Sequence, residues 1–155
     1  MRFIVNIIFF SFLISLQKDT ISFISASPFS FKDIMSSLDT QNEHEVFGYL
    51  TIPDGANENN KVPLVIGVAG SKDWSEHHLE YISMYQNMGI ATFELQSFAS
   101  RNISSTVGTQ VEVTTAMMIL DSYRAFEYIS DNPLIDKNKV AITGWSLGGG
   151  VALFS

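Results

Sequence analysis

The pentapeptide Gly144-Trp145-Ser146-Leu147-Gly148 constrains the fold of this chain more than any other feature. It follows a short apolar strand, Lys139 to Thr143, and opens directly into a helix-like run, Gly149 to Phe154. A G-x-S-x-G sequence between a strand and a helix forms a sharp turn that lifts the serine hydroxyl clear of the sheet. Such a turn has no room for a Cβ on its flanking residues, and Gly144 and Gly148 supply that room. The helix that starts there aims its free N–H groups and the positive end of its dipole at the serine, where an acyl-transfer intermediate would carry negative charge. Ser146 is therefore the candidate nucleophile, and the N–H of Leu147 the first candidate oxyanion donor. A dinucleotide loop of the form G-x-G-x-x-G does not fit, because Leu153 stands where its last glycine would be, and no G-K-S/T supports a phosphate loop.

The upstream segments supply the sheet this turn needs. Pro63 to Ala69 is a near-continuous apolar run, which predicts a strand buried on both faces of a parallel sheet. Val46 to Ile52, closed by Pro53-Asp54-Gly55, predicts a strand running into a turn, and Ile90 to Leu95 predicts another. Between them, Glu76 to Met88 places Leu79, Ile82 and Tyr85 at helical spacing and stops at Gly89. A longer helix is predicted from about Val111 to Ile129, with Ala116, Ile119, Tyr123 and Phe126 on one face and Asn132-Pro133 beyond its end. Gln96 to Gln110 reads as a loop. Strands alternating with helices in this order predict an α/β fold with a mostly parallel sheet.

Composition removes several classes of function. A formal charge of −7 with no basic run argues against a surface that tracks nucleic-acid phosphates. The absence of cysteine excludes disulfides, a thiolate zinc site and a cysteine nucleophile. Histidines occur only at 44, 77 and 78, and the adjacent pair His77-His78 is a weak candidate for a metal fragment, since neighbours on a helix point in different directions, and reads by default as solvent-exposed polar residues. No metal or organic cofactor is expected, because a serine nucleophile is activated by a neighbouring base.

The N-terminus has the order of a signal peptide: Met1-Arg2, an apolar run from Phe3 to Leu16, then a second apolar stretch ending at Ser25-Ala26. The expected division is a leader over 1–26 with cleavage after Ala26, a connecting segment over 27–45 with at most one short helix around Asp33 to Leu38, and a folded unit over 46–155. A secreted or periplasmic location follows, with membrane attachment only if the leader stays uncleaved. Asn102-Ile103-Ser104 matches a glycosylation acceptor.

The sequence NPLIDKNKVAITGWSLGG, from Asn132 to Gly149, resembles the nucleophile turn of dienelactone-hydrolase-like α/β-hydrolases. Pro63 to Gly70 resembles the segment of that family that ends in an oxyanion loop, and Ser97-Phe98 with Arg101 resembles the loop after its next strand. The resemblance implies an α/β-hydrolase fold, covered here over its first half and truncated after the nucleophile turn. It also implies a second oxyanion donor from the backbone of Ser71, because Ala69-Gly70 stands where many relatives carry His-Gly. Arg101 is a candidate either for binding an anionic substrate group or for pairing with a surface carboxylate, and Trp145 and Phe98 are candidates either for pocket walls or for core.

In this fold an Asp or Glu and then a His follow the serine. Only nine residues follow Ser146, and none is acidic or histidine. Two functions stay open at this point: a serine hydrolase acting on small ester, thioester or related carbonyl substrates through an acyl-enzyme, incomplete as given, or a non-catalytic secreted binding module on the same scaffold.

Overall fold

The computed structural model describes residues 17–155. They form a five-stranded mixed sheet flanked by helices. In chain order the elements are β1 (Lys18–Ala26), α1 (Phe31–Ser37), β2 (Glu43–Thr51), β3 (Val62–Val68), α2 (Glu76–Asn87), β4 (Ala91–Leu95), α3 (Thr115–Ile129), β5 (Ile135–Gly144) and α4 (Leu147–Phe154). The strands lie side by side as β1-β2-β4-β3-β5. The β3, β4 and β5 strands run parallel, β2 adds antiparallel to β4, and β1 adds antiparallel to β2. The carboxyl ends of the parallel strands therefore share one edge, where ligands bind in open α/β sheets.

The two faces of the sheet take different helices. Ile66 and Ile142 line an apolar groove with Tyr123 and Phe126 of α3. Gly67, the next residue along β3, points the other way, where a Cβ would lie 2.8 Å from the Trp74 ring and 3.0 Å from Ile82 of α2. The core joins Val46, Leu64, Phe93, Leu95, Met118 and Ile129 across these layers. On the predicted inner face of α3, Ala116 and Ile119 are buried, but Tyr123 and Phe126 reach the surface.

The N-terminal boundaries differ from those the sequence suggested. Lys18–Ala26 is a strand paired along its whole length with β2, from Lys18 opposite Thr51 to Ala26 opposite Glu43. Phe23 is buried, with its ring centroid 6.3 Å from those of Phe93 and Tyr128. A cut after Ala26 would take this strand out of the sheet, so the folded unit starts by Lys18 and not at 46. Residues 27–45 are likewise part of the fold: Ser30 caps α1 through Asp33, and Thr114 at the start of α3 donates to the carbonyl of Pro28. The apolar run Phe3 to Leu16 lies outside the described residues. No helix among the described residues is long and apolar enough to cross a membrane.

Candidate active site

Ser146 sits between β5 and α4 with φ 53° and ψ −114°, a backbone conformation that L-residues avoid. Holding a residue there costs about 1–3 kcal/mol, so the surroundings must impose it. The glycines explain how they do. A Cβ on Gly144 would lie 2.1 Å from the carbonyl oxygen of Gly148, and one on Gly148 would lie 2.2 Å from that of Val68. A side chain at Gly144 would push the start of α4 away from β5, and one at Gly148 would push the turn off the end of β3. Backbone bonds lock what the close packing allows: Trp145 N–H donates to Val68 O at 3.2 Å, and Gly148 N–H to Trp145 O at 2.9 Å. Ser146 itself is exposed.

The loop after β3 closes over this turn. Gly70 packs so tightly that its Cβ would meet Trp145 O at 3.1 Å and Ser146 Cβ at 3.5 Å. Ser71 follows, its carbonyl taken by Thr106 N–H at 2.9 Å and by the Ser105 hydroxyl at 3.2 Å. The structure thus packs Gly70, the residue before Ser71, against Ser146, with Leu147 as the first residue of α4, whose N–H is among those an α-helix leaves without an internal partner. Backbone N–H groups at such a turn are the kind that can stabilise an oxyanion formed at the serine.

The same loop holds a residue that sequence reasoning passed over. Asp73 turns at φ 63°, its N–H bonded to Gly70 O at 2.9 Å. Its buried Oδ1 has no hydrogen-bond partner among the described residues, and neither does the buried hydroxyl of Ser97 in the loop after β4. Burial raises the Asp73 carboxyl above its ordinary range, against a smaller lowering by the N–H of Trp74.

Arg101 is engaged within the fold itself. Its guanidinium faces Asp121 of α3 at 2.7 Å, with the two side chains 6% and 0% exposed. It also donates to Ser97 O, Ala26 O and Ser27 Oγ, while Ser25 Oγ donates to Asp121. With its donors spent on the protein, Arg101 clamps the end of β1 to α3. Phe98 is core rather than pocket wall, buried at 1% exposure, while Asn102 is exposed on a left-handed turn.

The histidines separate. His44 pairs with Ser100 O at 2.9 Å, and His77 is exposed beside the Ser75 hydroxyl. His78, expected at the surface, is only 5% exposed and stacks on Trp145, with ring centroids 4.7 Å apart and planes at 23°. Burial, then the neighbouring His77, lowers its pKa. Among the described residues no histidine hydrogen-bonds Ser146, and no group of three or more metal-ligating side chains occurs.

The family model described as Acetyl xylan esterase (AXE1) matches residues 34–155. No curated protein matches the sequence at a significant level. Solved structures give the fold. A dienelactone hydrolase-like promiscuous phosphotriesterase from metagenomic libraries is 17% identical, with a TM-score of 0.55 over 86% of this chain and 52% of its own. The dienelactone hydrolase of Anabaena variabilis is 18% identical, with a TM-score of 0.54 over 86% and 56%. Est1E from Butyrivibrio proteoclasticus, solved with ferulic acid bound, is 17% identical, with a TM-score of 0.56 over 70% and 41%. The chain therefore has the α/β-hydrolase fold of dienelactone-hydrolase-like proteins, as its nucleophile-turn sequence suggested, and spans about half the length of these structures.

Proposed function

The chain belongs to the acetyl xylan esterase family, and from that premise we propose that it carries the nucleophile of a serine hydrolase acting on esters of small acyl groups. One observation carries the reading: an exposed serine held at φ 53° in a turn whose Gly144 and Gly148 leave no space for a Cβ. Strain of this kind persists at functional sites because something needs the geometry.

In the proposed reaction Ser146 Oγ attacks the acyl carbon, and the carbonyl oxygen becomes an oxyanion facing the N–H groups of Leu147 and Ser71. Collapse breaks the ester C–O bond, and the departing alkoxide takes the proton that left Ser146. Water then attacks the acyl-serine, releasing the carboxylic acid and restoring the hydroxyl. The proton must travel through a base, which this fold takes from a histidine oriented by a carboxylate, both later in sequence than the serine. An acetyl group is the first substrate to test, on the strength of the family. We also propose that the protein is exported, with any leader ending before Lys18.

The test is fluorophosphonate labelling and hydrolysis of p-nitrophenyl acetate. A protein carrying this sequence together with a downstream acid and histidine is expected to label at Ser146, and Ser146→Ala to lose label and at least about 10³-fold in turnover. Residues 1–155 alone are expected to turn the ester over no faster than their Ser146→Ala variant. A longer, folded protein that stays unlabelled would leave the binding-module reading in its place.

A further inference from the structure

Trp74, His77, His78, Tyr81 and Trp145 gather where α2 meets the nucleophile turn, although three of them belong to α2 and one to the far side of β5. His78 is the centre of the cluster. Its ring lies flat on Trp145 and edge-on to Trp74, at 5.9 Å and 75°. Its Nδ1 accepts the N–H of Ser75 at 3.3 Å, which closes the first turn of α2 and fixes the ring about its side-chain torsions. Trp74 is fixed in turn, because its indole N–H donates to Leu95 O at the end of β4, 3.0 Å away.

We infer that His78 is a positioning residue for Ser146, holding the strained turn through its stack on Trp145. The turn is gripped on its glycine side by backbone contacts with β3 and the loop after it. On its other side the aromatic cluster grips the side chain of Trp145, which directly precedes the serine. With His78 stacked on its ring and Trp74 edge-on beside it, Trp145 is held against swinging, and a fixed Trp145 leaves Ser146 few ways to relax. Trp74 and Ser75 also follow the Gly70-Asp73 turn directly, so the cluster ties both candidate oxyanion segments to one support. Reacting groups gain rate from being held in place, and small displacements are expensive. The bland alternative is that His78 merely fills space under α2.

The inference rests on Ser146 being the nucleophile, but its first measurement does not. Amide hydrogen exchange read by mass spectrometry on the purified chain is expected to speed up about tenfold or more over residues 144–150 in His78→Ala, with α3 unchanged. His78→Phe keeps a stacking ring without the nitrogen and is expected to restore protection, while Glu80→Ala on the exposed face of α2 should do nothing. In a protein competent for turnover, His78→Ala is expected to lower kcat about tenfold or more with KM within twofold, and His78→Phe to recover most of it. Unchanged exchange over 144–150 overturns the inference and leaves the hydrolase reading standing. A uniform rise across α3 and the turn, unrescued by Phe, also overturns it, because that is simple loss of stability. Label retained in Ser146→Ala would instead overturn the hydrolase reading, with exchange still deciding whether His78 holds the turn.

Discussion

Asp73 shows what a single residue near the site is worth. Its carboxyl is raised by burial, so the folded state holds its proton more tightly than the unfolded chain, whose ordinary value is 3.8. The sign follows: its contribution to stability is present below 3.8 and is lost as pH rises through the raised value, so at neutral pH the charged group weighs against folding. Asp73→Asn removes the charge and keeps the shape, and Asn tolerates the positive φ that this turn requires. The variant is expected to melt higher than the parent at pH 7, with the gain shrinking as pH is lowered towards 3.8, read by thermal denaturation at several pH values. A gain that stays constant with pH would refute the charge argument. Residues of this kind were invisible in the sequence, unlike Gly144 and Gly148. The glycines act within one local turn, so spacing reveals them, whereas the burial of Asp73 and His78 depends on which distant segments fold over them.

At the scale of elements, most strands and helices followed from local pattern. Pro63 to Ala69 became β3 at Val62–Val68, and Glu76 to Met88 became α2 at Glu76–Asn87. The exception was β1, whose apolar residues continue the hydrophobic N-terminus and so read as part of a leader. The discriminating signal is alternation: Ile21, Phe23 and Ser25 turn inward while Ser22 and Ile24 face out. The partner and burial of Arg101 were hidden for a similar reason, since Asp121 is remote in sequence and the strand the pair anchors had been assigned elsewhere. That anchor gives a prediction. Arg101→Met leaves Asp121 buried and uncompensated, which should cost about 3–5 kcal/mol. The double variant Arg101→Met, Asp121→Leu should recover a large part of that loss, because no buried charge remains. Equilibrium urea denaturation of the three proteins decides it, and additive losses in the double variant would show that the pair is not the clamp. N-terminal sequencing of exported protein tests the strand from the other side: a mature start at Ser27 would be incompatible with a sheet that contains β1.

The sheet of the described residues has two margins, and they are unequally protected. The β1 margin carries Lys18, Asp19 and Thr20, all exposed, with Lys18 paired to Glu94 at 2.7 Å. Charges of this kind discourage another strand from adding. The β5 margin differs. Among the described residues Val140 to Gly144 pair with β3 on one side only, and beyond Lys139 the strand has no charge. Beside it lie Tyr123 and Phe126, and the end of α4 leaves Leu153 79% and Phe154 69% exposed. An uncharged edge with free backbone groups, next to apolar side chains, is a template for pairing with another chain. Residues 17–155 are therefore expected to self-associate through β5 rather than β1 as concentration rises. Sedimentation over a micromolar range reads this directly. Ala141→Lys places a charge at an exposed position on the open strand and should shift the population to monomer, whereas a Lys at exposed Ser22 on β1 should change little. A parent chain that stays monomeric at tens of micromolar, or association that survives Ala141→Lys but yields to Ser22→Lys, would move the reactive margin away from β5.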